Sequence, residues 1–225
     1  MNVQDLNHAD MIRIEPDDAL IVVDMQNDFM PGGALPVADG DMIVIGVNAL
    51  MKLFHQSALP VVLTQDWHPR GHRSFASAHA GKTPFDPYHE AGIGPVLWPD
   101  HCVQGSYGAD FHPGLETIYG HVIIRKGYRI EIDSYSGFLE NDRKTKTGLD
   151  GYLRNRGVNR LFICGLALDY CVFNTASDGA DLGFEVIVLI DLTKPVGSPP
   201  DSVSRALDIL VGKEVKFSLA GSLMP

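Results

Sequence analysis

The chain is short of several things, and each shortage removes a class of function. It has only three cysteines, Cys102, Cys164 and Cys171. Three spaced thiols make no disulfide framework, which points to a reducing compartment and a cytoplasmic protein. No apolar run approaches the ~20 residues needed to cross a bilayer. The opening "MNVQDLNHADMIRIEPDD" is polar and acidic, so it does not read as a signal peptide. Positive charge is scarce: 18 Lys and Arg stand against 28 Asp and Glu, a net charge of -10. That balance disfavours nucleic acid and anionic membrane surfaces as partners. There is no internal repeat, no low-complexity tract and no linker that would divide the 225 residues. One domain is expected over 17–225, after a flexible N-terminal tail of residues 1–16.

What is present is a regular alternation. The β-branched apolar run "ALIVVDMQ" (19–26) reads as a strand buried on both faces. In "DMIVIGVNALMKLFHQ" (41–56), Ile43, Val47, Leu50 and Phe54 recur at helical spacing. Further strands are predicted at 59–66, 121–127, 160–167, 184–192 and 214–220, and further helices at 148–157, 169–183 and 200–212. This is the pattern of βαβ units, so the expected fold is α/β, a mostly parallel sheet with helices on both faces. Residues 67–118 are rich in Pro, Gly and His and follow neither period. So long an irregular stretch in a compact domain is usually functional.

Ligands of open parallel sheets bind beyond the carboxyl ends of the strands. Those ends carry unusual residues here: Asp24, Asp66, Lys126 and the segment "GLALDYC". Cys171 follows a strand and falls in the first turn of a helix, with Asp169 as a candidate N-cap. Such a thiol is either a nucleophile with a lowered pKa or a small core residue. Asp24 is either a general base or a turn-forming aspartate. Lys126 is either an orienting cation or a solvated strand end. Taken together, a thiol, a carboxylate and an ammonium at adjacent strand ends form a nucleophilic set. Cys164 reads as core and Cys102 as structural.

"TQDWHPRGHRSF" (64–75) crowds Asp66, His68 and His72 together, and "WPDHC" adds His101. Asp-x-His with distant histidines suits zinc, iron or manganese, or else a hydrogen-bonded loop. Phe29, Trp98 and Tyr135 lie in the same loops, either as packing or as walls for a flat aromatic substrate.

The segments "IVVDMQNDFMPGGAL", "QDWHPRGHRSFA", "WPDHCVQGS", "IRKG", "DSYSGF" and "GLALDYCVFNTA", taken in order, resemble the nicotinamidases of the isochorismatase-like cysteine hydrolase family. The resemblance covers about residues 18–220. It implies a three-layer α/β/α sandwich and hydrolysis of nicotinamide, and of pyrazinamide in some members, for recycling the pyridine ring toward NAD. It places the catalytic triad on Asp24, Lys126 and Cys171 and the oxyanion hole on the backbone N–H groups of Ala167 and Cys171. One divalent transition metal would be held by Asp66, His68 and His101, zinc ahead of iron or manganese, with His72 a ligand or a supporting group. The metal would grip the pyridine nitrogen while Asp24 takes the thiol proton. Phe29, Trp98 and Tyr135 would bind the substrate ring. A cis peptide would join Leu166 to Ala167. Close relatives often have "ATDYC"; here Leu168 replaces the Thr. The expected partner is a small amide, with homo-oligomers possible for the fold. The rival readings are another amidohydrolase of the same fold, such as an isochorismatase, or a non-catalytic metal-binding protein.

Overall fold

The computed structural model describes residues 2–8 and 11–224. The first strand, β1 (Ile12–Arg13), pairs in parallel with the last, β8 (Leu223–Met224). Ile14 is buried beside them and donates its N–H to the Met224 carbonyl at 2.9 Å, while Leu6 is buried and His8 bridges to Phe217. The described part of the stretch expected as a loose tail is therefore packed onto the carboxyl-terminal end of the chain.

The main sheet takes its strands in an order set by the chain's alternation. β2 is Asp18–Val23, followed by α1 (Val44–Gln56), β3 (Val61–Asp66) and β4 (Val122–Lys126). Then come α2 (Leu149–Arg154), β5 (Arg160–Leu166), α3 (Phe173–Asp181), β6 (Glu185–Lys194), α4 (Ser202–Gly212) and β7 (Lys216–Ser218). The six strands lie in the order β4-β3-β2-β5-β6-β7 and every pair is parallel. β2, β3 and β5 are apolar runs buried along almost their whole length, as strands covered on both faces must be.

From β2 the chain moves one way, through α1 to β3 and β4. From β5 it moves the other way, through α3 and α4 to β6 and β7. Right-handed crossovers running in opposite directions put their helices on opposite faces, giving the three-layer α/β/α sandwich. β2 and β5 are thus neighbours at the reversal point, where the following loops part and leave a crevice. Val47, Leu50 and Phe54 turn inward from α1 as their spacing predicts, and Ile43 is buried in the 3-10 turn just before it.

Two local features depart from the sequence reading. The residues expected as the first turns of one helix, Leu168–Val172, form a wider π-type turn before α3 begins. A π turn adds a residue to the helical repeat and commonly marks a functional site. Asp169 does not cap that helix, whose N-cap is Ala167. Its carboxylate instead accepts the backbone N–H groups of Val196 and Gly197, each at 2.9 Å, and the Ser202 hydroxyl at 2.5 Å. Those bonds tie the turn that carries Cys171 to the loop entering α4.

Candidate active site

Asp24 is the first residue past β2. Its φ of 46° lies in the left-handed region, which Asp tolerates better than most residues. Thr64 on the neighbouring β3 fixes it twice, accepting its N–H at 3.2 Å and donating a hydroxyl to Oδ1 at 2.7 Å. That leaves Oδ2 aimed inward, 2.8 Å from the Lys126 ammonium. Asp24 and Lys126 are both wholly buried.

Lys126 ends β4, and its ammonium is the hub of the site. It donates to Asp66 Oδ1 at 2.5 Å, to the Ser134 carbonyl at 2.9 Å and to Cys171 Sγ at 3.3 Å. Those bonds use its three N–H directions, so Asp24 Oδ2 keeps a charge contact with no aligned donor. Oxygens of Asp24 and Asp66 and the Cys171 sulfur all lie within 4.8 Å of one another. Burial raises the Asp24 carboxyl, while Lys126 opposes the shift. Burial lowers the tendency of Lys126 to hold its proton, but Asp24 and Asp66 more than offset this and keep it an ammonium.

Cys171 is 6% exposed. The thiol is not activated by a lowered pKa, as a helix N-terminus alone would suggest. Burial pushes it well up, Lys126 opposes, and the carboxylates of Asp24 and Asp66 push it further. The Asp24 carboxylate is a neighbour of this thiol able to accept its proton. Cys164 lies inside β5 and Cys102 under the 101–103 loop, both fully buried.

Asp66, His68 and His101 also converge. Parallel pairing of His68 with Val103, and the bond from His68 N–H to the Cys102 carbonyl at 3.0 Å, bring the two loops together. Asp28 pins the same loop through Cys102 N–H at 2.7 Å. Gln26 accepts Asp66 N–H and donates to Asp66 O, each at 2.8 Å. His68 Nδ1 faces the Gly127 carbonyl at 2.9 Å, and His101 Nδ1 faces the Pro99 carbonyl at 2.8 Å. A carbonyl can only accept, so both Nδ1 atoms carry a proton, and each Nε2 presents a lone pair when its ring is neutral; burial disfavours charge on His68, but Asp66 beside it more than offsets this and raises that ring above its ordinary value. Those lone pairs lie 3.7 and 4.0 Å from Asp66 Oδ2. With both rings neutral three acceptors converge, and both imidazoles are oriented by a second hydrogen bond. The residues fit a divalent metal. Burial and the nearby His68 hold His101 down at about 4, consistent with a neutral ligand.

His72 is placed differently. Its Nδ1 accepts the Ser74 N–H at 3.2 Å and contacts the Ser74 hydroxyl at 2.7 Å, and its Nε2 faces the Ile132 carbonyl at 3.2 Å. Both nitrogens are engaged, so the ring supports His68, 4.5 Å away between centroids, and offers no lone pair.

A small cavity opens above Cys171, walled by Phe29, Trp98, Tyr135 and Tyr170, with Asp66 and His101 at one end. Trp98 donates its indole N–H to the Tyr135 hydroxyl at 2.9 Å, which donates on to the Gly94 carbonyl at 3.0 Å. Ala167 also lines the cavity, and the Leu166–Ala167 peptide is cis. Leu168 is buried in the core.

Of the residues singled out in the sequence, Phe29, Asp66, Trp98, His101, Tyr135, Ala167 and Cys171 line this cavity, and Asp24, Lys126 and His68 adjoin them, while Cys164 and His72 stand apart from it. Tyr170, Leu35, Val196 and Asp133 also line the cavity and were not foreseen. Tyr170 was signalled by its place beside Cys171, and Asp133 by the "DSYSGF" segment. Leu35 and Val196 sit in loops with no such signal.

Known proteins resemble this chain along most of its length. The family model described as Isochorismatase domain matches residues 18–211. A curated nicotinamidase from Acinetobacter baylyi is 50% identical over 179 residues, 79% of this chain and 81% of the relative. A solved Acinetobacter baumanii nicotinamidase pyrazinamidase superposes with a TM-score of 0.87 at 43% identity, covering 92% of this chain and 98% of that one. A pyrazinamidase from Pyrococcus horikoshii, solved in complex with zinc, superposes at 0.74 with 40% identity, over 91% and 99% of the two chains.

Proposed function

The chain belongs to the isochorismatase family, and from that premise we propose how its residues divide the work of an amidase. The enzyme hydrolyses nicotinamide to nicotinate and ammonia, as its nicotinamidase relatives are named for doing. Pyrazinamide is a second substrate of the same shape. The observation that carries this reading is the Lys126 ammonium. It joins the thiol, the carboxylate beside it and one member of the metal-fitting set in a single buried cluster beneath one aromatic cavity.

Phe29, Trp98 and Tyr135 clamp the flat ring, and Tyr170 closes the wall beside Cys171. Asp66, His68 and His101 would hold one divalent metal, zinc ahead of iron or manganese, which when bound would supply an electron-pair acceptor for the ring nitrogen. Fixing that end of the ring sets the carboxamide over Cys171, a positioning effect worth several kcal/mol of barrier. Asp24 takes the thiol proton on Oδ2 as Sγ attacks the carboxamide carbon. The oxyanion is received by the backbone N–H groups of Ala167 and Cys171, at about 3 kcal/mol per donor in comparable sites. Asp24 returns the proton to the amide nitrogen, the C–N bond breaks and ammonia leaves a cysteinyl thioester. Water then gives a proton to Asp24 and attacks the thioester. The C–S bond breaks, nicotinate is released and the sulfur recovers the proton. Lys126 keeps Asp24 ionised at the start of each half-reaction and balances the thiolate.

In this reading residues 17–225 form one catalytic domain after an N-terminal segment, the enzyme works in the cytoplasm on a small amide, and homo-oligomers are compatible with it. Among the described residues no helix is long and apolar enough to cross a membrane. A metal-free amidohydrolase of the same fold would not need two imidazole lone pairs turned on one carboxylate.

The test is ammonia release from nicotinamide by purified, zinc-loaded protein, with the Cys171→Ala variant as the blank. Turnover by the wild type alone is expected. No release from nicotinamide or pyrazinamide would overturn the reading.

A further inference from the structure

Asp133 is 2% exposed and lines the same cavity as Asp66, His101 and Cys171. Its two oxygens are differently placed. Oδ1 accepts the Ser134 N–H at 2.8 Å. Oδ2 is buried and has no hydrogen-bond partner among the described residues. A carboxylate oxygen buried without a donor is expensive, and its presence asks what it is for.

The neighbouring donors are all spent elsewhere. The His72 Nε2 proton goes to the Ile132 carbonyl and the His68 Nδ1 proton to the Gly127 carbonyl. Trp98 serves Tyr135, which serves Gly94, and Lys126 has no N–H direction left. A carboxylate oxygen of Asp133 nevertheless falls within one 4.8 Å set with ring nitrogens of His68 and His72. It therefore stands beside His68, the ring that also meets Asp66 and His101, at the edge of the metal-fitting corner. Three protein ligands leave a divalent transition metal at least one position short, and water fills such positions. Water bound to a dication is a far stronger donor than bulk water.

We propose that Asp133 is a positioning residue for the metal centre. Its Oδ2 accepts a hydrogen bond from water bound to the metal and sets a second carboxylate charge near that of Asp66. This rests on the reading of Asp66, His68 and His101 as the ligands.

The discriminating variant is Asp133→Asn. Its amide oxygen can keep the Ser134 N–H bond, so a purely structural Asp133 is replaced without loss. Keeping that bond turns the NH2 group to where Oδ2 stood, and a donor then faces the donor water. Zinc affinity is measured on chelator-stripped protein by competition with a chromogenic chelator, beside the melting temperature of the stripped form. The expected result is a zinc affinity about 10- to 100-fold weaker in Asp133→Asn, with the stripped form melting as the wild type does. Asp133→Ser, which keeps a small acceptor for Ser134 without the charge, should weaken zinc similarly and serves if the Asn variant does not fold. Zinc affinity within twofold of wild type in a folded variant would overturn the proposal. If the wild type itself takes up no zinc, the ligand reading fails first and this proposal with it.

Discussion

The Lys126 ammonium lies 2.5 Å from Asp66 Oδ1 and 2.8 Å from Asp24 Oδ2, so one lysine holds both the carboxylate beside Cys171 and a member of the metal-fitting set. The Asp24–Cys171 pair and the metal-fitting corner are thus electrostatically one unit. Removing Lys126 would leave Asp24 and Asp66 as unpaired buried like charges. Losing one partner of a buried ion pair typically costs about 3–5 kcal/mol. Lys126→Ala is expected to lose stability of that order in urea denaturation and to lose nicotinamide turnover. A loss under about 1 kcal/mol would show that the lysine is not the hub.

Because burial holds the Cys171 thiol well above its ordinary pKa, its reactivity should depend on Asp24. Alkylation by iodoacetamide at neutral pH should slow by at least about tenfold in Asp24→Asn, in line with the size of a positioned base's effect. Cys171→Ala should abolish ammonia release and keep zinc content, while Cys164→Ala should stay active. Equal alkylation rates in wild type and Asp24→Asn would remove Asp24 from the role of base.

His68→Ala or His101→Ala should lose the bound metal, read by elemental analysis. Metal gripping the ring nitrogen has a sharper consequence. Benzamide carries the same carboxamide and ring shape without that nitrogen, and it should be a poor substrate with or without metal. Nicotinamide should be hydrolysed well only by the loaded enzyme. Equal rates on both amides in the loaded form would move the metal's action to the carbonyl or the attacking water.

Glu140 offers a pH test away from the catalytic groups. It is buried, and neither carboxyl oxygen has a hydrogen-bond partner among the described residues. Burial raises it from 4.5 to about 7, with Arg129 opposing, Asp142 and Asp133 adding to the rise, and Lys126 opposing more weakly. Between those two values the folded chain keeps a proton that the unfolded chain has released. Stability from this group is therefore full below about 4.5 and is lost as pH rises to about 7. Glu140→Gln should melt higher than wild type at pH 8, and the gap should shrink toward pH 5. A gap that widens on acidification would contradict the raised carboxyl.

The sequence by itself determined the layers of this protein. Buried β-branched runs such as 19–23 and the helical spacing of Ile43, Val47, Leu50 and Phe54 are local consequences of which faces must leave water. They fixed a parallel sheet with helices on both sides, and with it the place where ligands bind. Charge at buried strand ends is costly enough to be noticed in one dimension, so Asp24, Asp66 and Lys126 were legible.

Only the tertiary structure decided how those groups share their bonds. Residue spacing could not separate His72 from His101, because the difference lies in where each ring's second nitrogen points: the Ser74 N–H and the Ile132 carbonyl engage both nitrogens of one, while the Pro99 carbonyl leaves Nε2 of the other free. It could not give the sense of the Cys171 shift, since a helix start lowers a thiol pKa while enclosure raises it, and enclosure is a property of the whole fold. Nor could it join Lys126 to Asp66, sixty positions away, or leave Asp133 Oδ2 without a donor. Hydrogen-bond directions and burial depend on residues distant in sequence, and they exist only once β2, β3, β4 and β5 lie side by side.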